Sequence, residues 1–213
     1  MTARRKRTIP LAGLYVILDP SVRPERPLLE VLEAAAACGV RIFQYRHKTA
    51  SMRQAYDEAG RLGHRARELD VLFLVNDRCD LALAIDADGV HLGQADLPYD
   101  HARRVLGPEK YIGISTHNAL QVKEADRLGP DYIGFGPIYS PAAKRDHEPV
   151  VGLEGLMAIR PLTSLPVFAI GGIQAGHLRP VMDAGANGIA VISAVVGAAD
   201  VAAAVAQFTG QLL

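Results

Sequence analysis

Between Val71 and Asp96 the chain does the same thing twice. An apolar run, Leu72 to Val75, halts at Asn76, Asp77 and Arg78. After a short amphipathic segment a second run, Gly89 to Leu92, halts at Gly93, Gln94 and Asp96. Short, continuously apolar runs of this kind read as strands buried on both faces. The two strands end close together in sequence, and each releases a carboxylate at its C-terminal end. That is the edge where parallel α/β folds place ligands. Asp is also a common turn and cap residue, and this stretch taken alone favours that plainer role.

The rhythm continues along the whole chain. Gly13 to Leu18 stops at Asp19-Pro20, and Arg41 to Tyr45 runs into the polar cluster Gln44-Tyr45-Arg46-His47-Lys48. Tyr111 to Ser115 stops at Ser115-Thr116-His117, and Asp131 to Phe135 opens a long polar loop, Gly136 to Gly152. Val167 to Ile170 stops at Gly171-Gly172, and Gly188 to Ile192 stops at Ser193. Between these runs lie helical stripes: Leu28, Leu32, Ala35 and Ala36, then Met52, Ala55, Ala59, Leu62 and Ala66, then Val122, Ala125 and Leu128. Ser51 and Asn118 stand where helix caps belong, and Gly39, Gly107-Pro108 and Gly129-Pro130 where helices stop. Further helices are expected over Leu153 to Ile159, His177 to Ala184 and Val201 to Leu212, with at best a short one over His101 to Leu106.

Eight such strands alternating with seven or eight helices predict a single-domain (β/α)8 TIM barrel with a parallel eight-stranded sheet. An open doubly wound sheet follows only if the first or last strand is overcounted. A length of 213 residues suits one barrel. A loose basic arm is expected over 1–12, before the barrel domain over 13–213. That arm lacks the apolar segment of a signal peptide, and no run is long enough to span a bilayer. The 23 basic and 23 acidic side chains cancel, so net charge supports neither a nucleic-acid nor a membrane-surface partner. Cys38 and Cys79 form no metal or redox motif and read as small buried hydrophobes. A cytoplasmic protein is expected.

In a barrel of this kind one rim collects every strand end. Gln44, Arg46, Lys48, Asn76, Asp77, Gln94, Asp96, Ser115, Thr116, His117, Lys144, Gly171, Gly172, Ile192 and Ser193 would gather there. Cations, hydroxyls and amides beside two acids are complementary to a polyanion with a divalent metal. Mg²⁺ fits, since it takes oxygen ligands and often only one or two carboxylates. The glycine pair would let backbone N–H groups approach a phosphate, where barrels of this kind commonly hold one. Arg46, Lys48 and Lys144 could instead be solvated surface charge, and His91 reads as a buried, hydrogen-bonded structural histidine. The other histidines have no partner at fixed spacing, so they suggest no metal cluster.

Seven motifs in register then resemble the thiamine phosphate synthase family. They are QYRHK at Gln44 to Lys48, VNDRCDLA at Val75 to Ala82, DGVHLGQAD at Asp88 to Asp96, GIST at Gly113 to Thr116, GFGPIY at Gly134 to Tyr139, VVGLEGL at Val150 to Leu156 and FAIGGI at Phe168 to Ile173. The resemblance implies a transferase joining a pyrimidine methyl diphosphate to a thiazole ethyl phosphate, with pyrophosphate released. Residues Gln44 to Lys48 with Asn76 would bind the pyrimidine diphosphate, and Asp77 and Asp96 would hold Mg²⁺. Ser115 and Lys144 would contact the leaving group, with Arg46 as a third catalytic candidate. Gly172, Ile192 and Ser193 would hold the thiazole phosphate. The implied partners are small phosphate substrates.

One loop departs from the pattern: Pro141-Ala142-Ala143 stands where the family usually carries hydroxyls on the thiazole side. Two other readings remain beside the transferase. A related thiazole tautomerase would have no use for two metal carboxylates, and Pro137 stands where that branch places a histidine. An idle barrel that binds thiazole phosphate draws support only from the altered loop.

Overall fold

The computed structural model describes residues 9–140 and 149–210. Eight strands close into a barrel in sequence order: β1 Gly13–Leu18, β2 Ile42–Tyr45, β3 Leu72–Asn76, β4 Gly89–Leu92, β5 Tyr111–Thr116, β6 Tyr132–Phe135, β7 Val167–Ile170 and β8 Gly188–Val191. Every neighbouring pair is parallel, and β8 returns to β1 with Gly13 opposite Gly188. The expected (β/α)8 barrel is therefore the fold, and the open-sheet reading falls with the β1–β8 pairing.

The continuous apolar runs are explained by two cores. On β3, Leu72 and Leu74 point inward to a cluster with Tyr15, Ile17, Ile42, Tyr111, Tyr132, Phe168 and Ala190. Phe73 and Val75 point outward into a larger cluster that includes the helices' apolar faces. Both sides of β3 are dry, so its polar residues begin only at Asn76, where the strand leaves the barrel. Phe73 is 1% exposed, and truncation to Ala there would cost about 3–5 kcal/mol.

The helices follow their local chemistry. Helix α1 spans Leu28–Ala37 and α2 spans Met52–Glu68. The Ser51 side chain caps α2 by accepting from the Gln54 N–H. Helices α3 Cys79–Ala84 and α4 Tyr99–Leu106 follow, α4 starting two residues before the expected His101. Asn118 caps α5, Ala119–Leu128, and Gly129 ends it in the left-handed conformation. Helix α6 covers Gly152–Ile159.

The helix expected over His177 to Ala184 is divided. A 3₁₀ turn covers Ala175–His177, and α7, Leu178–Asp183, carries Pro180 in its first turn, where a missing N–H is tolerated. A four-residue helix, α8, Ser193–Val196, follows β8 directly; it is too short to leave a periodic signal. Helix α9 runs over Val201–Thr209, and the expected end at Leu212 lies outside the described residues. Ile9 and Leu11 pack against the inner cluster. The arm expected to be loose over 1–12 is thus anchored from Ile9 onward, because two of its apolar side chains have core to cover. Among the described residues, no helix is long and apolar enough to cross a membrane.

Candidate active site

The parallel barrel brings the C-terminal ends of β2, β3 and β4 side by side, and they carry most of the charge. Asp77 follows β3 in the left-handed region (φ 62°), which Asp tolerates better than most residues. That turn lets its N–H donate to the His91 carbonyl at 2.8 Å. Its carboxylate receives Lys48 Nζ at 2.5 Å. Asp96 folds back from the loop after β4, so that its Oδ2 accepts the Gly93 N–H at 2.6 Å. Burial, then the hydrogen bond and charge of Asp77, hold the Asp96 carboxyl above the usual carboxylate range. The two acids are thus direct neighbours that resist being ionised together.

Arg46 is held from behind. Its guanidinium pairs with Asp19 at the end of β1, and both side chains are largely buried. Ser21 donates to Asp19 through its N–H (3.0 Å) and its hydroxyl (2.6 Å). Burial pushes the Asp19 carboxyl up, but the Ser21 hydrogen bonds and the Arg46 charge outweigh it and leave it below its ordinary value.

Inside the barrel lies a polar line. Gln44 is 1% exposed, and its Nε2 donates to the Tyr15 hydroxyl at 2.5 Å. Tyr15 meets the Tyr132 hydroxyl at 3.0 Å, and Tyr132 meets His91 Nδ1 at 3.0 Å. His91 Nε2 lies 2.9 Å from Ser115 Oγ. Burial pushes the His91 ring down to about 4, so it is neutral at pH 7. The hydrogen-bonded structural histidine expected on β4 is present, and its partner is a candidate site residue. Gly113, in the GIST motif, is the space for Tyr132: a Cβ there would collide with the phenol ring.

The opposite side of the rim is built from backbone. Gly171 (φ 98°) and Gly172 (φ 62°) follow β7 in conformations that side chains rarely adopt. A Cβ on Gly172 would lie 2.8 Å from both the Tyr139 and the Ser140 carbonyl oxygens. The Tyr139 N–H donates to the Gly171 carbonyl at 3.0 Å, tying the β6 loop to the glycine turn. After β8, Ile192 precedes Ser193, the first residue of α8.

The topology therefore brings Gln44, Arg46, Lys48, Asn76, Asp77, Asp96, Ser115, Gly172, Ile192 and Ser193 to the same end of the barrel. Tyr45, the last residue of β2, turns the other way. It points outward, as the residue after inward-facing Gln44 must, and its hydroxyl donates to Glu58 of α2 at 2.7 Å. His47 Nδ1 meets the same Glu58 carboxylate at 2.9 Å. This pair fastens the strand end to α2, a structural role beside the substrate-binding one expected for both. Lys144 and the Pro141-Ala142-Ala143 run lie outside the described residues. Sequence reasoning missed Asp19, Glu58, Tyr15 and Tyr132. Only Asp19, at a strand end, carried a signal that could have found it.

A family model described as thiamine monophosphate synthase matches residues 14–195. The chain belongs to the thiamine monophosphate synthase family. It is 48% identical to a thiamine-phosphate synthase of Chloroflexus aurantiacus over 194 residues, 91% of this chain and 89% of that one. It is 45% identical to that of Syntrophomonas wolfei, over 89% of this chain and 90% of the relative. Among solved structures it resembles a thiamine phosphate pyrophosphorylase from Pyrococcus furiosus, with a TM-score of 0.84, 40% identity and 94% and 95% of the two chains covered. The family match spans β1 to α8 and so includes every strand end of the rim.

Proposed function

We propose that this family member joins a pyrimidine methyl diphosphate to a thiazole ethyl phosphate, and that its rim divides the two substrates between a charged side and a backbone side. The observation that carries the reading is the adjacent pair Asp77 and Asp96, with Lys48 and Arg46 beside it. Among the described residues there, two cations face three carboxylates, Asp19, Asp77 and Asp96. These leave no surplus positive charge for a diphosphate. The oxygen donors and the mutual repulsion of Asp77 and Asp96 fit a hard divalent cation such as Mg²⁺, which these two residues would hold. Bound there, it would supply a Lewis-acid clamp on the diphosphate oxygens.

The chain's own groups account for the rest. Arg46 and Lys48 bind diphosphate oxygens, and Asn76 and Gln44 face the pyrimidine. Ser115 donates to the leaving pyrophosphate, with Lys144 as a further cation on it. Negative charge grows on that leaving group as the C–O bond breaks and the electron pair departs with oxygen. Groups aimed there stabilise the transition state more than the ground state. The electron-rich aminopyrimidine supports the methylene cation, so no protein nucleophile is needed. The thiazole nitrogen, held in place through its phosphate on the N–H groups of Gly172, Ile192 and Ser193, then supplies the pair for the new C–N bond. If the thiazole arrives carboxylated, CO₂ leaves as well.

Mixing both substrates with Mg²⁺ and assaying pyrophosphate and thiamine phosphate together tests this. Equal amounts of both products are expected. Binding without pyrophosphate release would favour an idle barrel, and thiazole isomerisation alone a tautomerase.

A further inference from the structure

The hydrogen bonds inside the barrel form one line across five strands, from Gln44 on β2 through Tyr15, Tyr132 and His91 to Ser115 on β5. Counting donors gives the line a direction. The Gln44 amide nitrogen has hydrogens and no lone pair to offer, so the Tyr15 oxygen accepts from it. The 3.0 Å contact between the Tyr15 and Tyr132 hydroxyls admits either direction, and donation by Tyr15 is the one that gives its own buried proton an acceptor. Tyr132 is fully buried; having accepted from Tyr15, it gives its own proton to His91 Nδ1. A ring nitrogen that accepts carries no hydrogen, so neutral His91 keeps its proton on Nε2 and donates it to Ser115 Oγ. An imidazolium would donate from both nitrogens and leave the Tyr132 proton without an acceptor in the barrel interior, which folded proteins avoid.

We infer that this line holds His91 as its Nε2–H tautomer and thereby frees the Ser115 hydroxyl proton to point out of the barrel, at an anionic group in the mouth. The direction matters because the reverse line would spend the Ser115 proton on His91. It would then turn oxygen lone pairs toward the anion. Tyr15, Tyr132 and His91 are positioning residues that never touch substrate, and Gly113 keeps the room that Tyr132 needs. What the freed proton meets, a leaving pyrophosphate, rests on the transferase reading; the tautomer does not.

The tautomer is measured directly by two-bond ¹H–¹⁵N correlation on histidine-labelled protein, with His91 assigned by its disappearance in His91→Gln. An Nε2–H pattern at neutral pH is expected. An Nδ1–H pattern, or an imidazolium, overturns the proposal even if the enzyme turns over normally. Conversely, absence of thiamine phosphate formation with the Nε2–H pattern intact would remove the transferase reading and leave the tautomer standing.

A second experiment uses turnover. Tyr132→Phe keeps the ring but cuts the line, and kcat should fall about tenfold with KM for the thiazole phosphate unchanged. In a Ser115→Ala background the same change should have no further effect on kcat, since the proton it positions is gone. Full additivity would contradict the line. If Tyr132→Phe fails to fold, as read by circular dichroism, the tautomer pattern of wild-type His91 decides by itself.

Discussion

The two sides of the rim would solve the same problem, holding a phosphate, by different means. On β2 to β4 the work falls to side chains: Arg46 braced by Asp19, Lys48 on Asp77, and Asp96 against Asp77. On β7 and β8 it falls to backbone, with Gly171 and Gly172 turned into the left-handed region and packed against the Tyr139–Ser140 carbonyls. A charged site can be tuned by a cation and by pH. A backbone site depends on shape. The two should therefore fail under different substitutions, and that difference can be broken experimentally.

The largest effect is expected at the acid pair. Asp77→Asn or Asp96→Asn should lower turnover by about 10²–10³-fold or more, the loss typical of one charge-stabilising group. Thiazole phosphate binding at the glycine side should stay within about twofold, since the two sites share no ligand. Steady-state kinetics with calorimetry on both ligands measures this. In the absence of metal, Asp96→Asn should also raise the melting temperature at neutral pH. The reasoning is one of sign. A carboxyl whose folded-state pKa is raised adds stability fully below its unfolded pKa and loses it as pH rises through the folded value, so the gain from Asp96→Asn should grow as pH rises.

Next comes the backbone side. Gly172→Ala places a methyl 2.8 Å from two carbonyl oxygens at a φ of 62°. It should cost about 1–3 kcal/mol of stability. Thiazole phosphate affinity should fall about tenfold or more while diphosphate affinity holds. A fall in both affinities, measured by calorimetry, would dissolve the division between the sides.

Behind Arg46 the expected effect falls on stability rather than on either ligand. Asp19→Asn leaves a buried guanidinium without its counter-charge, at a cost of about 3 kcal/mol. In the wild type the Asp19 pKa is depressed, so its contribution is present above the unfolded value of about 3.9 and is lost as pH falls through the folded one. Acid unfolding of wild type and Asp19→Asn should therefore converge at the lowest pH, where both lack that charge.

The smallest effect is at Tyr45. Tyr45→Phe removes one hydrogen bond to Glu58, for about 1 kcal/mol, and should leave both substrate affinities unchanged. A marked rise in KM for the diphosphate would return Tyr45 to the binding site.

Much of this was readable in the sequence because parallel barrels impose a simple grammar. Strands dry on both faces must be apolar throughout, so Leu72 to Val75 and Val167 to Ile170 announce themselves, and the residues that end them must lie on one rim. That grammar found Asp77, Asp96 and the glycine pair. It says where a strand ends but not which way each side chain points, so the Tyr45 bond to Glu58 is not legible beside Gln44, although adjacent strand residues face opposite ways. It also treats the barrel interior as apolar filler. The phenols of Tyr15 and Tyr132 looked like core, and nothing local announces that they meet across 117 positions. Asp19 reads in the sequence only as the stop of the first run, because its partner, Arg46, is 27 positions away. Helix α8 was missed because four residues cannot display a period.

The division of the rim rests on the acid pair being a metal site that serves the diphosphate. Calorimetric titration of the wild-type protein with the pyrimidine diphosphate, with and without Mg²⁺, tests that most directly. Mg²⁺ alone should bind weakly. Each ligand should tighten the other by the same factor, as reciprocity requires, and Asp77→Asn should abolish the coupling. Diphosphate affinity that does not change with Mg²⁺ in the wild type would contradict the metal role of Asp77 and Asp96.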